Sequence, residues 1–198
     1  MHLARGYLFI DIMPAKPIDA ERLQAAALAY LERFASSSAN LKSVLMRRVR
    51  RSARDHGTDP AEGAALTDAL VARFLANGLL DDRAYAAAKA GSLHRRGNSA
   101  RAIAAKLAGK GVPRELVQAS LGELDDDDGL AARPGGDLAA AAALARRKRL
   151  GPYRPAQTRE AYRQKDLASL ARNGFSREVA ERVLGCADPA TLTAMTEE

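Results

Sequence analysis

The chain of 198 residues contains no tryptophan, and aromatic residues make up only 5% of it. A single cysteine, Cys186, excludes an intramolecular disulfide and leads us to expect a reducing, cytoplasmic setting. The three histidines, His2, His56 and His94, do not follow the spacing of a metal site. No apolar run approaches the roughly 20 residues of a membrane-spanning helix, and the short stretch Tyr7–Met13 is interrupted by an aspartate and makes a poor signal peptide. We therefore expect neither a metal nor a membrane partner.

Known catalytic motifs are also missing. The sequence has no G-x-x-x-x-G-K-[ST] phosphate loop, no G-x-S-x-G nucleophile elbow and no H-E-x-x-H zinc motif. Asp81 and Asp82 could form a carboxylate pair, but at the start of a predicted helix they complement its dipole. The run Asp125–Asp128 could bind a hard cation, although such runs in linkers are more often solvated, and Cys186 is expected to pack as a small apolar side chain. We expect no catalytic residue, no cofactor and no enzymatic activity.

The abundant residues favour a basic, helical protein. Apolar residues make up 47% of the chain, which is enough for a folded core. Lysine and arginine number 31 against 24 aspartates and glutamates, and the resulting charge of +7 points to a polyanionic partner. Alanine, leucine and arginine dominate, and these are strong helix formers. Because no stretch alternates apolar and polar residues as strands do, the predicted fold class is all-α.

The predicted helices fall into groups separated by turn-forming segments. Aspartate or serine marks several helix starts, at Asp59, Asp81 and Ser99. The residues before Ile18 do not share the helical pattern, and Met13 could equally begin the protein. We expect a disordered or mis-started leader over 1–18, helical repeats over 19–79 and 80–124, an acidic Gly/Pro linker over 125–136, a third repeat over 137–186 and a tail over 187–198.

The chain shows internal similarity around its glycines. The segment Leu107–Glu115 aligns with Leu170–Glu178, and Phe74–Leu79 is a looser third copy. In each copy a helix runs into a glycine and then an apolar residue, as in helix ends where a left-handed glycine lets the next residue fold back. This pattern predicts three units of three helices. The predicted glycines are Gly78, Gly111 and Gly174, with Leu79, Val112 and Phe175 folding back onto Phe74, Leu107 and Leu170.

Basic residues cluster at three places and are the candidate contacts with an anionic partner. On the second helix they share an arc of about 100° opposite the apolar face. A second cluster surrounds a Gly-Asn-Ser turn, where the following helix start would favour an anion, and a third ends a helix, where the dipole alone would favour cations. A solvated face stays open as the alternative. The clusters are Arg47, Arg50, Arg51 and Arg54; then His94, Arg95, Arg96 and Arg101 around Gly97; then Arg146, Arg147, Lys148 and Arg149, with Arg154.

A helix-turn-helix that reads DNA sequence is the other interpretation of the helix pairs joined at Gly111 and Gly174. The candidate recognition helices, Arg114–Asp125 and Arg177–Leu184, carry at least as many acids as bases. A helix that enters the major groove is expected to be basic. We therefore do not expect sequence-specific readout by these helices.

The motif residues resemble those of the RecX family. The family pattern L-D-D-x-x-[FY]-A, then basic residues and a glycine, then I-x-x-E-L-x-x-K-G-[IV], is similar to this chain between Gly78 and Leu121, and the closing L-x-x-x-G-F-[ST] resembles residues 170–176. Two positions depart from it, since Lys106 replaces the glutamate and Ala102 replaces an arginine. The matching residues are Leu80, Asp81, Asp82, Tyr85, Gly97, Ile103, Leu107, Lys110, Gly111 and Phe175.

The resemblance implies an elongated, curved array of three three-helix repeats that lies along the RecA–DNA filament. It implies a monomeric, non-enzymatic regulator that modulates, and is expected to inhibit, the ATPase, recombinase and coprotease activities of RecA in DNA repair, homologous recombination and the SOS response. Contact with single- or double-stranded DNA is expected to be weak and non-specific. The alternative is a general basic helical protein that binds nucleic acid without RecA.

Overall fold

The computed structural model describes residues 17–128 and 134–197, and the regular elements in those ranges are all helical. The predicted all-α fold class is confirmed. Two short 3-10 turns follow the seventh helix, at Gly151–Tyr153 and Ala156–Thr158. The α-helices are α1 Ala20–Leu31, α2 Ser38–His56, α3 Pro60–Ala76, α4 Asp82–Arg95, α5 Ala100–Ala108, α6 Arg114–Asp128, α7 Pro134–Lys148, α8 Arg159–Arg172, α9 Arg177–Gly185 and α10 Pro189–Glu197.

The chain divides into two compact units, and the first extends to Leu80 and contains α1 to α3. Each of its helices starts at a side chain that accepts a hydrogen bond from a first-turn amide, a favourable helix start. The helices enclose one apolar core. Gly63 brings α3 close to α2, because a Cβ at that position would lie 2.5 Å from Val49 Cγ1. The core includes Leu23, Leu41, Leu45, Val49 and Phe74.

The second unit begins at Asp81 and holds two further helical groups, each with its own core. In the first group α4, α5 and α6 pack around Ile103 and Leu107, which are both fully buried. In the second group α7, α8, α9 and α10 pack around Leu144, Leu170 and Val183. Helical groups with separate cores agree with the repeat architecture that the glycine pattern predicts, although the described part of the third group has four helices instead of three, because α10 also packs against its core.

The predicted leader, linker and tail differ from the structure in part. Residues 1–16 and 129–133 lie outside the described residues, so most of the leader and the middle of the linker do too. Ile18, however, joins the first unit, because its amide donates to Ser52 Oγ at 2.9 Å. Helix α6 continues to Asp128 and α7 begins at Pro134, so helical turns occupy parts of the expected linker. The expected tail contains α10, whose Leu192 is fully buried in the third core.

The predicted glycine ends form at two of the three positions. Gly111 and Gly174 have φ of +71° and +90°. The amide of Val112 donates to the carbonyl of Leu107 at 3.2 Å, and Phe175 returns in the same way to Leu170 at 3.3 Å. All four of these apolar side chains are buried, so the helix end is also an apolar contact.

At Gly78 the prediction that Leu79 folds back is wrong. Gly78 is left-handed, with φ of +75°, but Leu79 is 47% exposed and its amide donates to Asn77 Oδ1 at 3.2 Å. The chain therefore returns one residue later. Leu80 is 3% exposed, and its amide donates to the carbonyl of Phe74 at 3.0 Å.

Candidate polyanion interface

The first basic cluster lies on the exposed side of α2. That helix buries Leu41, Leu45, Val49 and Ser52, and the four predicted arginines 47, 50, 51 and 54 are all exposed. Arg54 is paired on the same helix, where its Nε lies 3.1 Å from Asp55 Oδ1. Since that pair is exposed to solvent, it contributes little to stability. The cluster therefore offers guanidinium groups to a partner without a role in the core.

The second and third clusters come together although they are 51 positions apart in the sequence. The Nη1 group of Arg147 at the end of α7 donates to the backbone carbonyl of Arg96 at the end of α4, at 2.5 Å. The two helices approach closely at Gly97, where a Cβ would lie 2.8 Å from the carbonyl oxygen of Ala140 and the amide nitrogen of Leu144. We term the combined surface the α4–α7 patch. It consists of Arg95, Arg96, Arg146, Arg147, Lys148 and Arg149, all exposed.

Internal acids do not neutralise the α4–α7 patch. None of its six cations forms an ion pair with a carboxylate of the described residues, whereas Arg83 pairs with Glu123 and Arg177 pairs with Glu181. Two helix C-termini supply a partial negative charge of only about half a unit each. The patch therefore keeps a surplus of positive charge that its own helix dipoles do not offset.

The start of α5 is not an open anion site, contrary to the expectation from the Gly-Asn-Ser turn. Asp137 of α7 places its Oδ1 3.0 Å from the amide of Ala100. Ser99 accepts from the amide of Ala102 at 3.2 Å and donates to the carbonyl of Asn173 at 3.0 Å. This chain's own groups therefore take the donors that an incoming anion would need. Arg101 remains as an exposed side chain in the first turn of α5.

Arg154 does not belong to the third basic cluster, so that expectation is wrong. Its guanidinium donates to both carboxylate oxygens of Asp166 at 2.7 Å and lies 4.4 Å from the centre of the Tyr162 ring. Asp166 is 2% exposed and also accepts from the Gly151 amide at 3.0 Å. Burial raises the pKa of Asp166, but the hydrogen bonds from Arg154 and Gly151 outweigh it and the net pKa is lowered. Arg154 is therefore a structural residue that ties the turn after α7 to α8.

The family-motif residues have mainly structural positions. Asp81 accepts from the amide of Ala84 at 2.9 Å and caps α4, and Asp82 lies in the first turn. Tyr85 is partly buried against the second core. Lys106, at the position of the family's glutamate, donates from Nζ to Asn98 Oδ1. Four other motif residues are buried: Leu80, Ile103, Leu107 and Phe175. Gly97 and Gly111 are left-handed, and Lys110 is exposed.

Cys186 is 7% exposed and packs in the third core, as the sequence predicts. Its Sγ donates to the carbonyl of Arg182 at 3.3 Å, and burial raises the pKa of the thiol. Within the described ranges, no group of three or more histidine, cysteine, aspartate or glutamate side chains is placed to hold a metal ion. No helix in those ranges combines the length and apolar character that crossing a bilayer requires.

The chain is similar to known proteins in both its sequence and its fold. A model described as the second three-helix domain of RecX matches residues 81–121. The chain is 46% identical over 167 residues to regulatory protein RecX of Myxococcus xanthus strain DK1622, covering 82% of this chain and 83% of the relative. It is 35% identical over 159 residues to regulatory protein RecX of Agrobacterium fabrum strain C58, covering 80% and 79%. A crystal structure of regulatory protein RecX shares the fold, with a TM-score of 0.53 at 20% identity over 84% of this chain and 72% of that chain.

Proposed function

The chain belongs to the RecX family of regulatory proteins, and from this premise we propose that it binds the RecA–DNA filament and inhibits the ATPase, recombinase and coprotease activities of RecA. The observation that carries the proposal is the match to regulatory relatives at 46% and 35% identity over most of the chain. We further propose that it acts as a cytoplasmic monomer and through binding alone, without catalysis.

The two exposed basic surfaces support binding to a filament that contains both protein and nucleic acid. One is the arginine stripe of α2, and the other is the α4–α7 patch. Both use mainly arginine, whose planar guanidinium can hold a carboxylate or a phosphate with two hydrogen bonds. Exposed cations of this kind mainly accelerate association and orient the partner. A regulator that must find a highly charged filament gains from both effects.

The second candidate function is a general nucleic-acid-binding protein that acts without RecA. The surplus charge of +7 and the unpaired cations of the α4–α7 patch favour it. Salt dependence alone does not separate the two candidates, since screening weakens either kind of electrostatic contact.

The separating experiment measures the single-stranded-DNA-dependent ATP hydrolysis of RecA at increasing amounts of this protein. The proposal predicts that hydrolysis falls at ratios too low to cover the free DNA. Loss of hydrolysis only once the DNA is saturated would instead support the general nucleic-acid binder. A parallel titration at twofold and fourfold higher DNA shows which component sets the midpoint, because competition for DNA moves the midpoint in proportion to the DNA.

A further inference from the structure

The end of α7 departs from the helix ends that resemble it. In the described part of the chain, four helices end with a left-handed residue directly followed by a residue whose amide donates to the carbonyl five positions earlier. Three of the four use glycine there, at positions 97, 111 and 174. At the end of α7 the left-handed residue is Arg149, with φ of +54°, and it is the only non-glycine residue with positive φ among those described.

Arginine is an unfavourable choice at this position. A side chain with a Cβ clashes with its own backbone in the left-handed region, and glycine does not. The turn itself is well formed, because the amide of Leu150 donates to the carbonyl of Ala145 at 2.8 Å and Leu150 is 4% exposed. The buried leucine therefore fixes the backbone, and the strain at Arg149 persists.

Nothing within the described residues offsets that strain. The guanidinium of Arg149 is exposed and has no ion pair or hydrogen bond with a described group. The helix dipole does not require it either, since Arg146, Arg147 and Lys148 already supply cations to the last turn. Strain that is kept at a surface without an internal gain is typical of a functional position.

The surroundings of Arg149 indicate the class of partner. Five large apolar side chains are exposed in the described residues, and none belongs to the α4–α7 patch: Leu28, Phe34, Leu75, Leu79 and Tyr162. Protein interfaces usually have an apolar or aromatic centre surrounded by polar groups. The patch is instead a group of cations held in register by the Arg147–Arg96 hydrogen bond and the close approach at Gly97. Such a surface fits a row of phosphates better than a protein surface.

We propose that the α4–α7 patch binds the phosphate backbone of nucleic acid, and that Arg149 is kept in a strained left-handed conformation because its guanidinium makes one of these contacts. The assignment rests on the proposed function in that the filament supplies the DNA. It goes further by assigning the patch to DNA rather than to the filament protein.

The test uses the unmodified chain of 198 residues and the variant Arg149→Gly. Binding to a labelled single-stranded oligothymidine is measured by fluorescence anisotropy, without RecA, at several salt concentrations. Thermal unfolding is followed by circular dichroism.

We expect the Arg149→Gly variant to unfold at a temperature about 2–4 °C higher, because glycine relieves the strain. We expect its binding to weaken about fivefold, equivalent to about 1 kcal/mol, and its slope of log affinity against log salt to become shallower by about 0.7, as for one lost phosphate contact on a single strand.

Two further variants serve as controls. Arg95→Ala removes one charge of the α4–α7 patch at a position whose backbone is helical and not left-handed. We therefore expect the same loss of affinity and the same shallower salt slope, without a rise in the unfolding temperature. Arg114→Ala removes one charge from an exposed position on α6 outside the patch, so affinity and slope should stay near those of the unmodified protein.

Three outcomes would overturn the proposal. One is an Arg149→Gly variant that gains stability and keeps its full affinity and salt slope. Another is an equal loss of affinity in Arg114→Ala, which would show that net charge alone matters. The third is unchanged oligothymidine binding by the patch variants together with weaker inhibition of RecA, which would assign the patch to the filament protein.

If the unmodified protein binds DNA through the patch but has no effect on RecA, the proposed function fails and the patch assignment stands.

Discussion

Arg154 and Asp166 form a bidentate ion pair in which the guanidinium donates to both carboxylate oxygens at 2.7 Å. Asp166 is 2% exposed and Arg154 is 23% exposed, so the pair is largely removed from water. It joins the turn at Gly151–Tyr153, which follows α7, to the middle of α8. The Gly151 amide adds a third hydrogen bond to the carboxylate. The pair therefore holds together two segments that are otherwise connected by a loop.

Removing Arg154 is expected to destabilise the protein strongly. Arg154→Ala leaves the Asp166 carboxylate buried without its charge partner, which typically costs about 3–5 kcal/mol. The measurement is the free energy of unfolding from urea titration followed by circular dichroism. The double variant Arg154→Met with Asp166→Leu is the control, since replacing both partners by apolar groups should recover most of the loss. A single variant that loses less than about 1 kcal/mol would show that water reaches the carboxylate.

The same pair predicts how stability depends on pH. The pKa of Asp166 is lowered in the folded protein, so the unfolded chain binds the proton more readily. Its contribution to stability is present above the ordinary carboxyl pKa of about 3.9 and is lost as pH falls through the folded value. Asp166→Asn should be less stable at neutral pH, and its difference from the unmodified protein should narrow below about pH 4. Unfolding free energies between pH 7 and 3 provide the measurement, and parallel curves would contradict the assignment.

The left-handed glycines allow backbone strain to be separated from close packing. Gly78 and Gly97 have φ of +75° and +71°, but a Cβ at Gly78 meets nothing within 4 Å, whereas one at Gly97 lies 2.8 Å from the backbone of α7. Gly78→Ala should cost about 1–2 kcal/mol from strain alone, and Gly97→Ala should cost about 1–3 kcal/mol more from overpacking. Urea unfolding of both variants measures the difference. Equal losses would show that α4 and α7 can separate locally at no cost.

Helix ends were predictable from the sequence where a local signal was strong. Gly111 and Gly174 could be identified because an apolar residue follows each glycine and another lies at the fold-back position. The same pattern misplaced the return after Gly78, because the Asn77 side chain accepts from the Leu79 amide and delays the turn by one residue. The competition between a side-chain acceptor and a backbone acceptor depends on three-dimensional geometry, so the order of residues did not reveal it.

The candidate interface was only partly predictable for a related reason. Each basic cluster is visible along the chain, but the contact between Arg147 and the carbonyl of Arg96 depends on how α7 packs against α4 at Gly97. Arg154 looks like another exposed cation in the sequence, and only the fold brings it to Asp166. Arg149 carries no sequence signal of its conformation, since arginine rarely takes a positive φ.

The arginine stripe on α2 gives a prediction about inhibition of RecA. Arg47→Ala with Arg50→Ala removes two exposed guanidinium groups from the face opposite the buried residues of α2, so helicity and the unfolding temperature should change little. If the stripe contacts the filament, about fivefold more of the variant, or a still larger excess, should be needed to reach half-inhibition of RecA ATP hydrolysis, equivalent to about 1 kcal/mol of binding.

A charge-matched control is Arg33→Ala with Arg48→Ala, which removes two exposed arginines outside the arc. Equal loss of inhibition in both double variants would mean that overall charge, rather than the stripe, drives binding. Unfolding of the Arg47 and Arg50 variant would mean that the stripe stabilises the first unit instead.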